Sequence, residues 1–224
     1  MMTVQVRQFG VVDYQSAFEA MQAFNNARTE DTPDEIWLLQ HPPVYTLGLA
    51  GKPEHLLQAT DIPLVKIDRG GQITYHGPGQ IVVYLMLDLK RHGLGVRELV
   101  RKMENSIISV LAKHQVVAKG DEAAPGVYVE SGAKIAALGL RVRRGCTYHG
   151  LSLNVDMDLA PFSWINPCGY QGLQVTQTKQ EGILAPLDNI AAELLEAIHQ
   201  EILPATQWAD APAEWPVIAQ GNAS

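Results

Sequence analysis

Hydrophobic and polar positions along this chain fall into strand-like and helix-like patterns. Val4 and Val6 alternate with polar residues and predict a short strand. After Asp13, which suits an N-cap, Tyr14, Ala17, Phe18, Met21 and Phe24 recur at helical spacing and predict an amphipathic helix over 13–28. Ile36-Trp-Leu-Leu39 reads as a buried strand ended by Pro42-Pro43, and Val44-Tyr-Thr-Leu47 as another ended by Gly48. A short helix is expected at 53–58. Apolar runs at 62–67 and 81–87 predict two strands flanking a tight glycine-rich loop. Leu99, Val100, Met103, Ile107, Val110 and Leu111 mark a second long helix over 96–114. Gly126-Val-Tyr-Val129 and residues 134–142 read as strands joined at Ser131-Gly132, with a further strand over 148–155. Residues 156–180 lack periodicity and predict a loop with a helical turn near 162–165. Asp188 suits the cap of a last helix running to Ile202. Neighbouring strands with three separate helices predict an α+β fold of mixed β-sheet layers with flanking helices. One domain is expected over 1–203, followed by a partly ordered tail over 204–224.

Composition narrows the class. Of 224 residues, 46% are hydrophobic and 18% charged, which indicates a globular chain. No apolar run approaches the ~20 residues that span a bilayer, and the first residues carry no signal-peptide core. Two cysteines, Cys146 and Cys168, argue against a disulfide scaffold and for a cytoplasmic protein with reduced thiols. A net charge of −7 argues against nucleic-acid binding. Metal-ligand spacings are missing, and Gly77-Pro-Gly79 is neither a P-loop nor a dinucleotide fingerprint, so no metal and no cofactor is expected.

Four glycines and a proline fall within Arg69-Gly-Gly-Gln-Ile-Thr-Tyr-His-Gly-Pro-Gly-Gln80. A plain turn needs the glycines. It does not need Arg69, Thr74, Tyr75, His76 and Gln80 packed among them, and polar side chains on a loop held by strands are how binding sites are commonly built. Cys168, bracketed by Pro167 and Gly169 in an aperiodic loop, is the candidate nucleophile, whereas Cys146 enters a strand and reads as structural. A thiol of pKa ~8.5 needs an activator. Lys134 opens an apolar run, where partial desolvation of its ammonium and proximity to the thiol would serve that end. On composition alone it is an ordinary strand lysine. His76 and His149 are rival activators, because Cys–His pairs are common in acyl transfer; they are assigned here to substrate positioning.

The pieces resemble the lipoate-protein-ligase-B family of octanoyl-acyl-carrier-protein:protein N-octanoyltransferases. Arg69 to Gln80 resembles its central motif, His41-Pro-Pro-Val-Tyr-Thr-Leu-Gly48 its early one, and Gly132-Ala-Lys-Ile-Ala-Ala-Leu-Gly-Leu-Arg141 its lysine segment. His149-Gly-Leu-Ser-Leu-Asn-Val155 and Asn166-Pro-Cys-Gly169 resemble its later motifs. The resemblance implies the fold of the biotin and lipoate ligases and an active site pairing Cys168 with Lys134. It implies an acyl slot lined by Arg69, Gly70, Gly71, Gln72, Ile73, Thr74, Tyr75 and His76, by Ala137, Leu138 and Gly139, and by His149, Gly150, Leu151 and Ser152. The implied donor is octanoyl-acyl carrier protein. The implied acceptors are lipoyl domains of 2-oxoacid dehydrogenase E2 subunits and the glycine cleavage H protein. Three rivals stand beside this reading: an ATP-dependent lipoate or biotin ligase of the same fold, a non-catalytic acyl-binding module, and a Cys–His hydrolase.

Overall fold

The computed structural model describes residues 2–166 and 172–216. In chain order the elements are β1 (Met2–Val11), α1 (Tyr14–Ala27), β2 (Asp34–Gln40), β3 (Val44–Leu47), β4 (Leu64–Lys66), β5 (Ile73–His76), β6 (Gln80–Met86), α2 (Leu89–His92), α3 (Val96–Lys113), β7 (Ala118–Gly120), β8 (Gly126–Val129), β9 (Lys134–Arg143), β10 (Cys146–Asn154), α4 (Leu187–Ile202) and β11 (Thr206–Asp210). Short 3₁₀ turns occupy Pro53–His55 and Ala160–Trp164. The strands form an eight-stranded mixed sheet, ordered β11-β1-β2-β6-β10-β9-β8-β7, and a three-stranded sheet, ordered β4-β3-β5. This is an α+β fold.

β6 shows why the large sheet reads as an unbroken apolar run. Ile81, Val83 and Leu85 pack on one face against Leu99, Met103 and Ile107 of α3 and Leu194 and Ile198 of α4. Val82, Tyr84 and Met86 pack on the other against Tyr14, Phe18, Met21 and Phe24 of α1. Both faces are covered, so alternation disappears from the sequence. Asp13 caps α1 by accepting from the Ser16 N–H at 2.9 Å. A third cluster, including Tyr45, Leu47, Ile73, Tyr75 and Phe162, lies against the small sheet.

The glycine-rich segment departs from expectation. The strands at 62–67 and 81–87 do not flank one loop of a common sheet. β4 belongs to the small sheet and β6 to the centre of the large one. Ile73–His76, expected as loop, is strand β5, paired antiparallel with β3 from Val44↔His76 to Leu47↔Ile73. Gly71 (φ +83°) and Gly79 (φ +86°) supply the left-handed backbone that turns the chain into and out of this strand. Beyond Pro204, Thr206–Asp210 pairs in parallel with β1.

Candidate functional site

A cleft opens where the small sheet and its Arg69–Gln72 approach meet β9 and β10. Its space, open mouth included, is about 540 Å³. Gly139 and Gly150 are cross-strand partners in its floor. Neither accepts a side chain readily. A Cβ on Gly150 would run into the Val83 carbonyl, and one on Gly139 would stand 3.0 Å from Arg69 Cδ. The Arg69 stem therefore lies on bare backbone. Its guanidinium ties the approach together, donating to Gly70 O (2.8 Å), Thr46 O (3.0 Å), Thr46 Oγ1 (2.9 Å) and Gln72 O (2.9 Å).

His76 begins a buried polar chain. Its Nδ1 lies 2.7 Å from Gln80 Oε1, Gln80 Nε2 donates to Asn154 Oδ1 at 2.9 Å, and Asn154 Nδ2 donates to Thr176 O at 2.9 Å. Because the Gln80 amide nitrogen is the donor, Nδ1 carries the His76 proton. Burial lowers His76 to about 3, with His41 nearby adding to the effect. The ring is thus a neutral imidazole at physiological pH, stacked 5.6 Å from Tyr14.

His149 takes a left-handed conformation (φ +62°) within β10. Its Nε2 lies 3.1 Å from Asp68 Oδ1, and Phe18 stacks on the ring at 5.6 Å. Among the described residues its buried Nδ1 meets no hydrogen-bond partner. Burial lowers the His149 pKa against the pull of Asp68. Burial raises the Asp68 carboxyl, but hydrogen bonds from His149 and Tyr148 outweigh it and hold Asp68 down to about 2.

Lys134 lies beside the cleft in a smaller recess, with Thr74, Ala137 and Ser152 lining both. A bulge in the β8–β9 ladder pairs Tyr128 with Lys134 after Val127 with Ala136, which re-aims the lysine relative to the rest of β9. Lys134 is 4% exposed. Its Nζ donates to Pro125 O at 3.2 Å and sits 5.4 Å from the Tyr128 ring centroid. Its backbone is clasped by the segment that follows the cysteine motif: Lys134 N donates to Gln174 O (2.8 Å) and Thr176 N to Lys134 O (2.9 Å). At the first residue of that motif, Asn166 N donates to His55 O at 2.9 Å. Cys168 itself lies outside the described residues. Cys146 is buried, and burial raises its thiol pKa.

Of the residues expected at the slot, Arg69, Gly71, Gln72, Ile73, Thr74 and His76 line the cleft from one side. Ala137, Leu138, Gly139, His149, Gly150, Leu151 and Ser152 line it from the other. Gly70 stands just off it, its N–H donating to Leu140 O at 3.2 Å. Tyr75 faces the third core cluster instead, 5.6 Å from Tyr45 and 5.4 Å from Phe162, because alternation along β5 turns it away from Thr74 and His76. Sequence reasoning missed Tyr14, Val82 and Tyr84 in the lining, which read as core residues, and the supporting Asp68, whose one signal was adjacency to Arg69. Among the described residues no His/Cys/Asp/Glu group could hold a metal, and no helix is long and apolar enough to cross a membrane.

The fold is that of the α+β lipoate protein ligase structures. A bi-partite lipoate protein ligase of Thermoplasma acidophilum superposes with a TM-score of 0.72 at 12% identity, over 95% of this chain and 88% of that one. The model of the lipoyl protein ligase A/B catalytic domain matches residues 13–203. An octanoyltransferase of Laribacter hongkongensis is 62% identical over 192 residues, covering 86% of this chain and 92% of its own. One from Nitrosomonas europaea is 58% identical over 202 residues, covering 90% and 98%. The chain belongs to the lipoyl protein ligase A/B family, on its ligase B branch, and is an acyltransferase.

Proposed function

We propose that the chain moves an octanoyl group from acyl carrier protein to a lysine of lipoyl domains, those of 2-oxoacid dehydrogenase E2 subunits and the glycine cleavage H protein, through a thioester on Cys168. One observation carries the reading. A slot floored by glycine backbone and walled by apolar side chains runs beside a buried lysine, and the segment just after the cysteine motif is hydrogen-bonded to that lysine's backbone. Each buried CH₂ of an acyl chain in such a slot is worth ~0.8 kcal/mol.

In the first step Lys134 takes the Cys168 proton, and the thiolate attacks the donor thioester carbonyl. The bond from that carbon to the carrier's sulfur breaks, and the departing thiolate takes the proton back from Lys134. In the second step the neutral ε-amine of the acceptor attacks the acyl-enzyme. An amide bond forms, the Cys168 sulfur leaves as thiolate, and the amine's extra proton passes through Lys134 to it. Thioester exchange is nearly isoenergetic and aminolysis of a thioester is downhill, so no nucleotide is consumed. Gly71, Gly139 and Gly150 give the acyl chain room, and neutral His76 and His149 orient the ends of the slot.

Intact mass after incubation with octanoyl-acyl carrier protein tests this. The expected result is a gain of one octanoyl group, removed by hydroxylamine and lost in Cys168→Ala. Adenylate formation with ATP and lipoate would point to a ligase. Binding without acylation would point to a carrier module, and release of free acid to a hydrolase.

A further inference from the structure

A single peptide group stands between Lys134 and a carboxylate on α3. The Pro125 carbonyl accepts from Lys134 Nζ at 3.2 Å. The Gly126 N–H of the same peptide donates to Glu104 Oε1 at 3.1 Å. In a trans peptide these two groups point in opposite directions. An anion at the N–H and a cation at the carbonyl polarise the amide in the same sense, so each hydrogen bond strengthens the other.

The surroundings are built for this arrangement. A Cβ on Gly126 would lie 2.5 Å from Lys134 Cε and 2.8 Å from Nζ, so glycine there is what lets the lysine lie across the strand. A Cβ on Gly120 would lie 2.5 Å from Glu104 Oε2, so a second glycine admits the carboxylate. The Asp121 N–H also turns toward it. Glu104 is only 7% exposed, and an apolar side chain would occupy this position on α3 without the cost of desolvating a charge. Charged and titratable groups facing the pair include Asp121 in the β7–β8 connection and Tyr128 on β8.

We infer that Glu104 is a positioning residue for acyl transfer, fixing the Pro125–Gly126 peptide as the acceptor that holds and stabilises the Lys134 ammonium. The inference rests on the reading of Lys134 as proton carrier.

Lysine side-chain NMR, with Lys134 assigned by its loss in Lys134→Ala, tests the coupling directly. Glu104→Gln keeps an acceptor for the Gly126 N–H but removes the charge. Its Lys134 titration is expected to move down by about one pH unit. The pH profile of acyl-enzyme formation should move the same way by the same amount, while the folding temperature stays near wild type. Glu104→Ala should in addition lower the maximal acylation rate, and Gln at the position should restore part of it. If Lys134→Ala is inactive but Glu104→Gln leaves both the titration and the profile unmoved, this inference alone is overturned. If Lys134→Ala retains full turnover, the parent reading fails, and the catalytic role of Glu104 with it.

Discussion

Asp68 and His149 meet beside the cleft, carboxylate oxygen to imidazole nitrogen at 3.1 Å, with the Tyr148 hydroxyl and Gln22 Nε2 on the second carboxylate oxygen. The pair links the chain entering the Arg69 motif to the strand that floors the slot. Since the carboxylate is ionised, Nε2 carries the His149 proton and Nδ1 keeps its lone pair.

The first prediction concerns that carboxylate. Its folded pKa, about 2, lies below the ordinary value of 3.8. A depressed carboxyl contributes stability that is complete above pH 4 and lost as pH falls toward 2. Asp68→Asn should therefore melt below wild type at pH 7, with the difference closing under acid. Melting temperatures at pH 7, 4 and 2.5 measure it, and a constant difference would contradict the linkage.

The second prediction concerns the histidines. Burial lowers His41 to about 4, His76 to about 3, and His149 as well. Unfolded, each titrates near 6.5. The unfolded chain then binds more protons than the folded one below pH 6.5, and stability falls as pH drops from 6.5 to 4. His76→Gln should flatten that slope in chemical denaturation. Turnover of His76→Gln should be lower than wild type yet keep the same pH profile between 5.5 and 8, because a ring neutral throughout supplies no limb.

The third prediction separates two glycines of the cleft floor. Gly150→Ala drives a methyl into the Val83 carbonyl between two central strands and should destabilise the fold by about 3 kcal/mol. Gly139→Ala is crowded by the Arg69 stem at 3.0 Å, which needs to give only a few tenths of an ångström, and is in ordinary contact with Gly70 O at 3.7 Å. It should leave the melting temperature within a few degrees and raise KM for octanoyl-acyl carrier protein several-fold. Equal losses of stability in both variants would argue against this reading of the floor.

The fourth prediction is one of thiol reactivity. Cys146 is buried, and burial raises its pKa. Iodoacetamide should label Cys168 on the order of 100-fold faster than Cys146 near pH 7. Lys134→Ala should slow the Cys168 labelling, and the Cys168→Ala, Lys134→Ala double variant should be scarcely worse than the worse single one. Acylation found on Cys146 would sink the assignment.

Much of this fold was legible in the chain because periodicity survives where one face is wet. α1 and α3 show it, and both begin and end within a residue of the predicted spans 13–28 and 96–114. β5 was not legible, since four residues between glycines carry no period and its partner β3 lies about 30 residues upstream. β11 was hidden for a related reason: an edge strand with one buried residue, Thr206, offers no hydrophobic stripe. At the site, short motifs marked the glycines and the residues between them. Tyr14 and Tyr84 escaped because a large side chain looks the same in sequence whether it fills the core or lines a slot. Glu104 escaped because an isolated glutamate on a helix reads as surface until its carboxylate is seen against Gly120 and Gly126.

The pairing of β11 with β1 has a consequence for biogenesis. β1 leaves the ribosome before every other strand of the sheet, and β2 covers one of its edges within some thirty residues. The other edge receives its partner only when Thr206–Asp210 emerges, after every other strand of the sheet has been made. Throughout synthesis the nascent domain carries an open row of amide and carbonyl groups, the template on which unrelated strands assemble. Thr206–Asp210 thus covers part of the ten-residue β1 edge and becomes the edge in its place, leaving a template only five residues long.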